Sequence, residues 1–155
     1  MNPRLPAGPP DLSGLLGAAS LGGALDEVVR LSEAIEIVPA WATIELARAA
    51  ALAPAVEPTR SDDLLGAFAA VATLAPRRHV VILEPSTEGP LAAALARHGE
   101  GWLAAYLRGS RRSAIGRLRD AGYPLSTIGR GPFGPERRII VGPRDGPFLV
   151  LVAEP

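Results

Sequence analysis

Glu33 and His79 are the residues of this chain best suited to proton transfer, because a carboxylate and an imidazole on neighbouring strands would form a buried acid/base pair. At strand ends in solvent the same two residues would have no chemistry. Tyr106 and Arg108 lie two residues apart and so share a face of any strand that carries them, where they could polarise or hold an oxygen. Beside Arg111 and Arg112, Arg108 equally suits a solvated turn. Trp102 falls on the same alternation as Tyr106, and the pair could present flat surfaces to an aromatic or polyene ligand or simply fill a core. His98 sits in a Gly-rich turn and is expected to be exposed.

Other chemistries are closed off by composition. The chain has no cysteine and only two histidines, so thiolate metal sites, Cys nucleophiles and disulfides are excluded and imidazole sites are scarce. No serine stands in a Gly-x-Ser-x-Gly elbow, which leaves a hydrolase triad without an anchor. Gly129-Arg130-Gly131-Pro132-Phe133-Gly134 has the glycines of a phosphate cradle but opens no helix, and reads as a hairpin connection. Sixteen basic and sixteen acidic residues cancel without forming a basic stripe, which argues against nucleic acid as a partner. Apolar runs stop well short of the roughly 20 residues of a membrane span, and the first residues lack the order of a secretory signal. A soluble, cytoplasmic protein is expected.

These residues need a scaffold, and 155 residues at 48% hydrophobic content can build one core or two small modules sharing one. Residues 1–10 are rich in Pro and Gly and read as loose, and Asp11-Leu12-Ser13 could cap a Gly-interrupted helix over about 15–30. A strand over 33–38, a helix over 41–52, a brief strand at 56–57 and strands over 66–74 and 79–83 follow. The second half repeats the order after a connecting helix at 87–97: a strand over 102–107, a helix over 110–121, and strands over 123–128, 138–141 and 148–153. The fold class is α+β, two tandem βαβββ modules (30–85 and 86–155) behind an N-terminal extension at 1–29.

That order resembles the vicinal oxygen chelate superfamily, which includes glyoxalase I, methylmalonyl-CoA epimerase, extradiol dioxygenases, fosfomycin-resistance enzymes and bleomycin-resistance proteins. Ile82-Leu83-Glu84-Pro85, Gly89-Pro90-Leu91 and His98-Gly99-Glu100-Gly101 are similar to the stretch joining the modules in epimerase-like members. Arg30-Leu31-Ser32-Glu33 leading to Val38-Pro39 looks like the opening strand, and Leu151-Val152-Ala153-Glu154-Pro155 like the closing one. The resemblance covers residues 30–155. It implies one metal ligand from each of four strands, at Glu33, Val81, Ala104 and Leu151. Only Glu33 could bind an ion, so the resemblance implies a protein without a metal or other cofactor.

Residues sharing parity with those positions should line the pocket between the modules: Glu33, His79, Val81, Trp102, Ala104, Tyr106, Arg108 and Leu151 among them. Two functions fit that apolar cavity. One is a metal-independent binder of a small organic metabolite, antibiotic or polyketide-like, with Trp102 and Tyr106 as its platform. The other is a metal-free isomerase, cyclase or lyase on an acyl or polyketide-like substrate, using Glu33, His79 and Tyr106. The resemblance also implies a homodimer.

Overall fold

The computed structural model describes residues 12–142 and 146–153; the expectations of a loose start at 1–10, a cap at Asp11 and a closing Glu154-Pro155 fall outside them. In the first module, β1 (Glu36–Ala42) and α2 (Leu46–Ala50) lead into β2 (Ala55–Val56), β3 (Arg60–Asp62), β4 (Ala67–Ala75) and β5 (Arg78–Pro85). In the second, β6 (Gly101–Ser110) and α4 (Ala114–Asp120) lead into β7 (Gly129–Gly131), β8 (Gly134–Ile139) and β9 (Phe148–Ala153). Helix α1 (Ala24–Ser32) precedes the first module and α3 (Pro90–His98) joins the two, entered through a proline in its first turn, where the missing N–H has no helical acceptor to lose.

One sheet carries all the strands, in the order β2-β4-β5-β1-β6-β9-β8-β7 with β3 beside β4. β1 and β6 pair antiparallel at its centre, and each is flanked by the last strand of its own module in parallel, which is the signature of a duplicated unit. The sheet curls until its extremes touch: the Asp63 N–H next to β3 donates to the Arg130 carbonyl of β7 at 2.8 Å. The inner face buries Val38, Ala40, Val81, Ala104, Tyr106 and Val150, closed below by Leu91 and Ala94 of α3. The outer face packs on Leu25 and Val28 of α1 and Leu118 of α4 at one side, and on Leu46 and Ala49 of α2 at the other.

Several expected boundaries moved. Gly17, with φ 86, and its neighbouring glycines break the segment before α1 into short 3-10 turns at Leu12–Gly14 and Ala18–Ser20. The opening strand runs through Pro39 instead of stopping there, because Pro39 lies opposite Ala105 of β6 and one residue before pairing with β5 begins. Trp41 therefore belongs to β1 and not to the following helix, which shrinks to one turn and a half. The strand expected over 123–128 reduces to a bridge between Leu125 and Ile139, and β3 was not expected at all.

Candidate functional site

Glu36 and Arg108 stand directly opposite each other in the β1–β6 pair, and this register sets up the polar rim of the inner face. Arg108 Nη1 donates to Glu36 Oε1 at 2.8 Å, and Glu36 Oε2 lies 3.3 Å from Nδ1 of His79 on β5. All three side chains remain between 32% and 38% exposed, so a solute can reach them. The Arg108 guanidinium also lies 4.1 Å from the centre of the Phe133 ring, which meets the Tyr106 ring edge-on with centroids 5.4 Å apart.

Behind this rim lies a buried acid pair. The Tyr106 hydroxyl donates to Asp62 Oδ2 at 2.6 Å, and the Leu65 N–H donates to Asp62 Oδ1 at 3.0 Å. Glu136 of β8 is only 2% exposed, and among the described residues no donor reaches either of its carboxyl oxygens. A Cβ added to Gly131 would overlap Glu136 Oε1 and lie 3.1 Å from Asp62 Oδ2, so the two carboxyl groups crowd one small space that only glycine leaves open. Two acceptors cannot bond to each other unless one carries a proton. Burial, then the charge of Asp62, pushes the Glu136 carboxyl up to about 10, so Glu136 is the proton carrier at neutral pH. Burial raises Asp62 as well, against the hydrogen bonds from Tyr106 and the backbone that hold it down. The Tyr106 phenol is raised well above its ordinary value, first by burial and then by the Asp62 charge, and stays protonated.

The expected site residues part company. His79, Tyr106 and Arg108 lie on the inner face with Val81 and Ala104, but Glu33 is not with them. Glu33 ends α1 in a left-handed conformation with φ 50, and its carboxylate pairs at 3.3 Å with Arg117 of α4. The strand starts three residues later, which places Glu36 at the rim of the inner face. Trp102 and Tyr106 do not form a platform. The register jumps from Ala40 opposite Ala104 to Trp41 opposite Trp102, so Leu103 is an extra residue that turns Trp102 to the outer face. There it packs edge-on against Trp41 at 5.2 Å.

Leu151 is also on the outer face: Val150 is level with Tyr106 and points inward, while Leu151 is level with Leu107 and packs with the helices. It lines a hollow of about 320 Å³ with Ile115, Ile128 and Arg137. Where an apolar cavity was expected, Leu65, Leu91, Leu103, Tyr106 and Phe148 fill the inner face, and the rim is what solvent reaches.

A divalent metal needs three or four N, O or S donors. Glu36 and His79 bring two, and a guanidinium already sits on the first. Among the described residues no group of three or more His, Cys, Asp or Glu gathers in a way that could hold an ion. These residues do not fit such a centre.

The curled sheet of two modules, each a strand and a helix followed by further strands, has known counterparts. No family model matches the chain, and no curated protein matches it in sequence. Among solved structures it is similar to methylmalonyl-CoA epimerase from Mycobacterium tuberculosis, at 21% identity and TM-score 0.64, covering 80% of this chain and 91% of that one. The fold is that of the vicinal oxygen chelate proteins. A hypothetical protein, BH1468 from Bacillus halodurans C-125, is similar at 16% identity and TM-score 0.57, covering 77% of this chain and 94% of that one. Within this vicinal oxygen chelate fold, the inner-face side chains of the four central strands at the rim are Glu36, His79, Arg108 and Val152, since Val152 is level with Arg108.

Sequence reasoning missed Asp62, Glu136, Glu36 and Phe133. Asp62-Asp63-Leu64-Leu65-Gly66 carries a turn signal in which Asp62 accepts from the Leu65 N–H, and that signal was available. Glu136 lies in Gly134-Pro135-Glu136-Arg137-Arg138, which reads as a charged surface stretch, and nothing local marks it as buried.

Proposed function

We propose that this is a metal-independent vicinal oxygen chelate-fold protein that binds a small organic metabolite of antibiotic or polyketide-like character at the inner-face rim. The observation that carries this reading is Arg108, a half-buried cation held between the Glu36 carboxylate and an aromatic ring, with apolar side chains behind it. A guanidinium placed this way can exchange Glu36 for an acidic oxygen of a ligand whose body packs on the apolar side chains behind it. Its positive charge does there what a metal would otherwise do for an oxyanion. Titration calorimetry on the full chain, with 1-hydroxy-2-naphthoate and octanoate as probes, tests the reading. Saturable binding of either that chelator treatment leaves intact and Arg108→Met abolishes is expected; binding that survives Arg108→Met sinks it.

A second reading, a metal-free isomerase, cyclase or lyase on an acyl or polyketide-like substrate, draws support from the proton-carrying groups. Glu36 beside His79 replaces the Glu33 and His79 pair as base, while the Tyr106 hydroxyl is committed to Asp62. One of the structural neighbours is, by its name, an epimerase of an acyl thioester. The check is deuterium incorporation from D₂O at the α-carbon of a 2-methyl-branched acyl thioester. Exchange lost in Glu36→Gln favours this reading, and no exchange above the protein-free rate removes it.

A further inference from the structure

Phe133 reaches the inner face from a turn. It is the second residue of a two-residue turn, Pro132-Phe133, closed by the Gly131–Gly134 pair at the tip of the β7–β8 hairpin. Gly134 adopts φ +107, a conformation that favours glycine, and a Cβ there would meet nothing within 4 Å. The ring is only partly buried, yet it packs on the inner core, lies under the Arg108 guanidinium and abuts the Tyr106 ring. Pro132 and Phe133 lie outside the β7–β8 register, so no strand pairing depends on where the ring sits.

We infer that the Phe133 ring is a built-in plug in a ring-sized slot, and that the ligand which displaces it is a planar aromatic acid. This rests on the binding reading above and names its ligand class. The slot is defined by what grips the plug. Arg108 offers a cation 4.1 Å from the ring centre, and Tyr106 offers a ring edge at a 74° interplanar angle. A ligand ring entering there keeps both contacts. A carboxylate or acidic phenol on it supplies what Phe133 lacks, an anion for Arg108 in exchange for the Glu36 carboxylate 2.8 Å away. An aliphatic acid satisfies Arg108 but leaves the two ring contacts empty. The slot therefore selects for flat unsaturated bodies, and Phe133 holds affinity down by the amount its own ring contacts are worth.

The experiment compares 1-hydroxy-2-naphthoate and octanoate by titration calorimetry on the wild-type chain, Phe133→Ala and Phe133→Leu. Circular dichroism on each variant establishes folding, and Phe133→Leu keeps apolar bulk without a ring should Phe133→Ala fail to fold. Removal of the plug is expected to tighten naphthoate at least tenfold in Phe133→Ala and severalfold in Phe133→Leu, with octanoate changed less than twofold. Naphthoate binding that is unchanged or weakened in the folded variants makes Phe133 part of the wall and overturns the plug. Arg108-dependent binding of octanoate with none of naphthoate overturns the aromatic slot while the binding reading stands. Binding of neither probe by the wild type or by any folded variant overturns both.

Discussion

At the residue scale the account turns on one proton. Glu136 and Asp62 share a space that a single methyl group on Gly131 would fill, and only the proton on Glu136 lets them coexist. An acid whose folded-state value lies above its unfolded one stabilises the fold most below the unfolded value, and that contribution is lost as pH rises toward the folded value. For Glu136 the window runs from about 4.5 up to about 10, and raised Asp62 adds with the same sign at its lower end. Up to about 1.4 kcal/mol per pH unit is available from one such proton. The melting temperature of the wild type should therefore fall between pH 5 and pH 9, and Glu136→Gln should flatten the fall, which a thermal melt at four pH values measures. A wild-type slope that Glu136→Gln leaves unchanged puts the proton elsewhere. Tyr106→Phe removes the donor to Asp62 and should lower stability by about 1–3 kcal/mol in a denaturant titration, the range for a buried acceptor left without its partner.

At the scale of elements, two small irregularities decide which side chains meet. The left-handed turn at Glu33 delays β1 by three residues, and the extra Leu103 in β6 flips Trp102 away from Tyr106. Alternation read along 102–106 assumes an unbroken pleat, and a bulge leaves no mark in composition, so the aromatic platform was not legible as wrong. The strands over 66–74, 79–83 and 148–153 were legible, because their unbroken apolar runs between Gly, Pro and charge matched buried strands within about two residues. β3 and β7 were not: three-residue strands such as Arg60-Ser61-Asp62 and Gly129-Arg130-Gly131 are held by sheet closure and not by local preference. Trp102→Ala should thus lower stability by about 2–4 kcal/mol through the outer-face packing with Trp41, and leave probe affinity within twofold. A large loss of affinity would put Trp102 back in the site. Arg117 ties α4 to the end of α1 through the Leu31 carbonyl and Glu33, both contacts partly in solvent. Arg117→Ala should lower the melting temperature by only a few degrees, about 1 kcal/mol, with binding intact.

At the scale of the whole molecule, the duplicated βαβββ order was readable from sequence because each half repeats strand, helix and strands in turn. The curl that brings β3 against β7 was not, since it depends on contacts between residues about 70 positions apart such as Asp62 and Glu136. One rim is built from two modules: Glu36 and His79 come from the first, Arg108 and Phe133 from the second. The central claim is that this rim holds an organic acid by Arg108 without a metal. Titration of chelator-treated full chain with 1-hydroxy-2-naphthoate, before and after Arg108→Met, bears on it most directly. The account predicts saturable binding in the chelated wild type and none in Arg108→Met; binding that needs an added divalent ion, or that persists without Arg108, would contradict it.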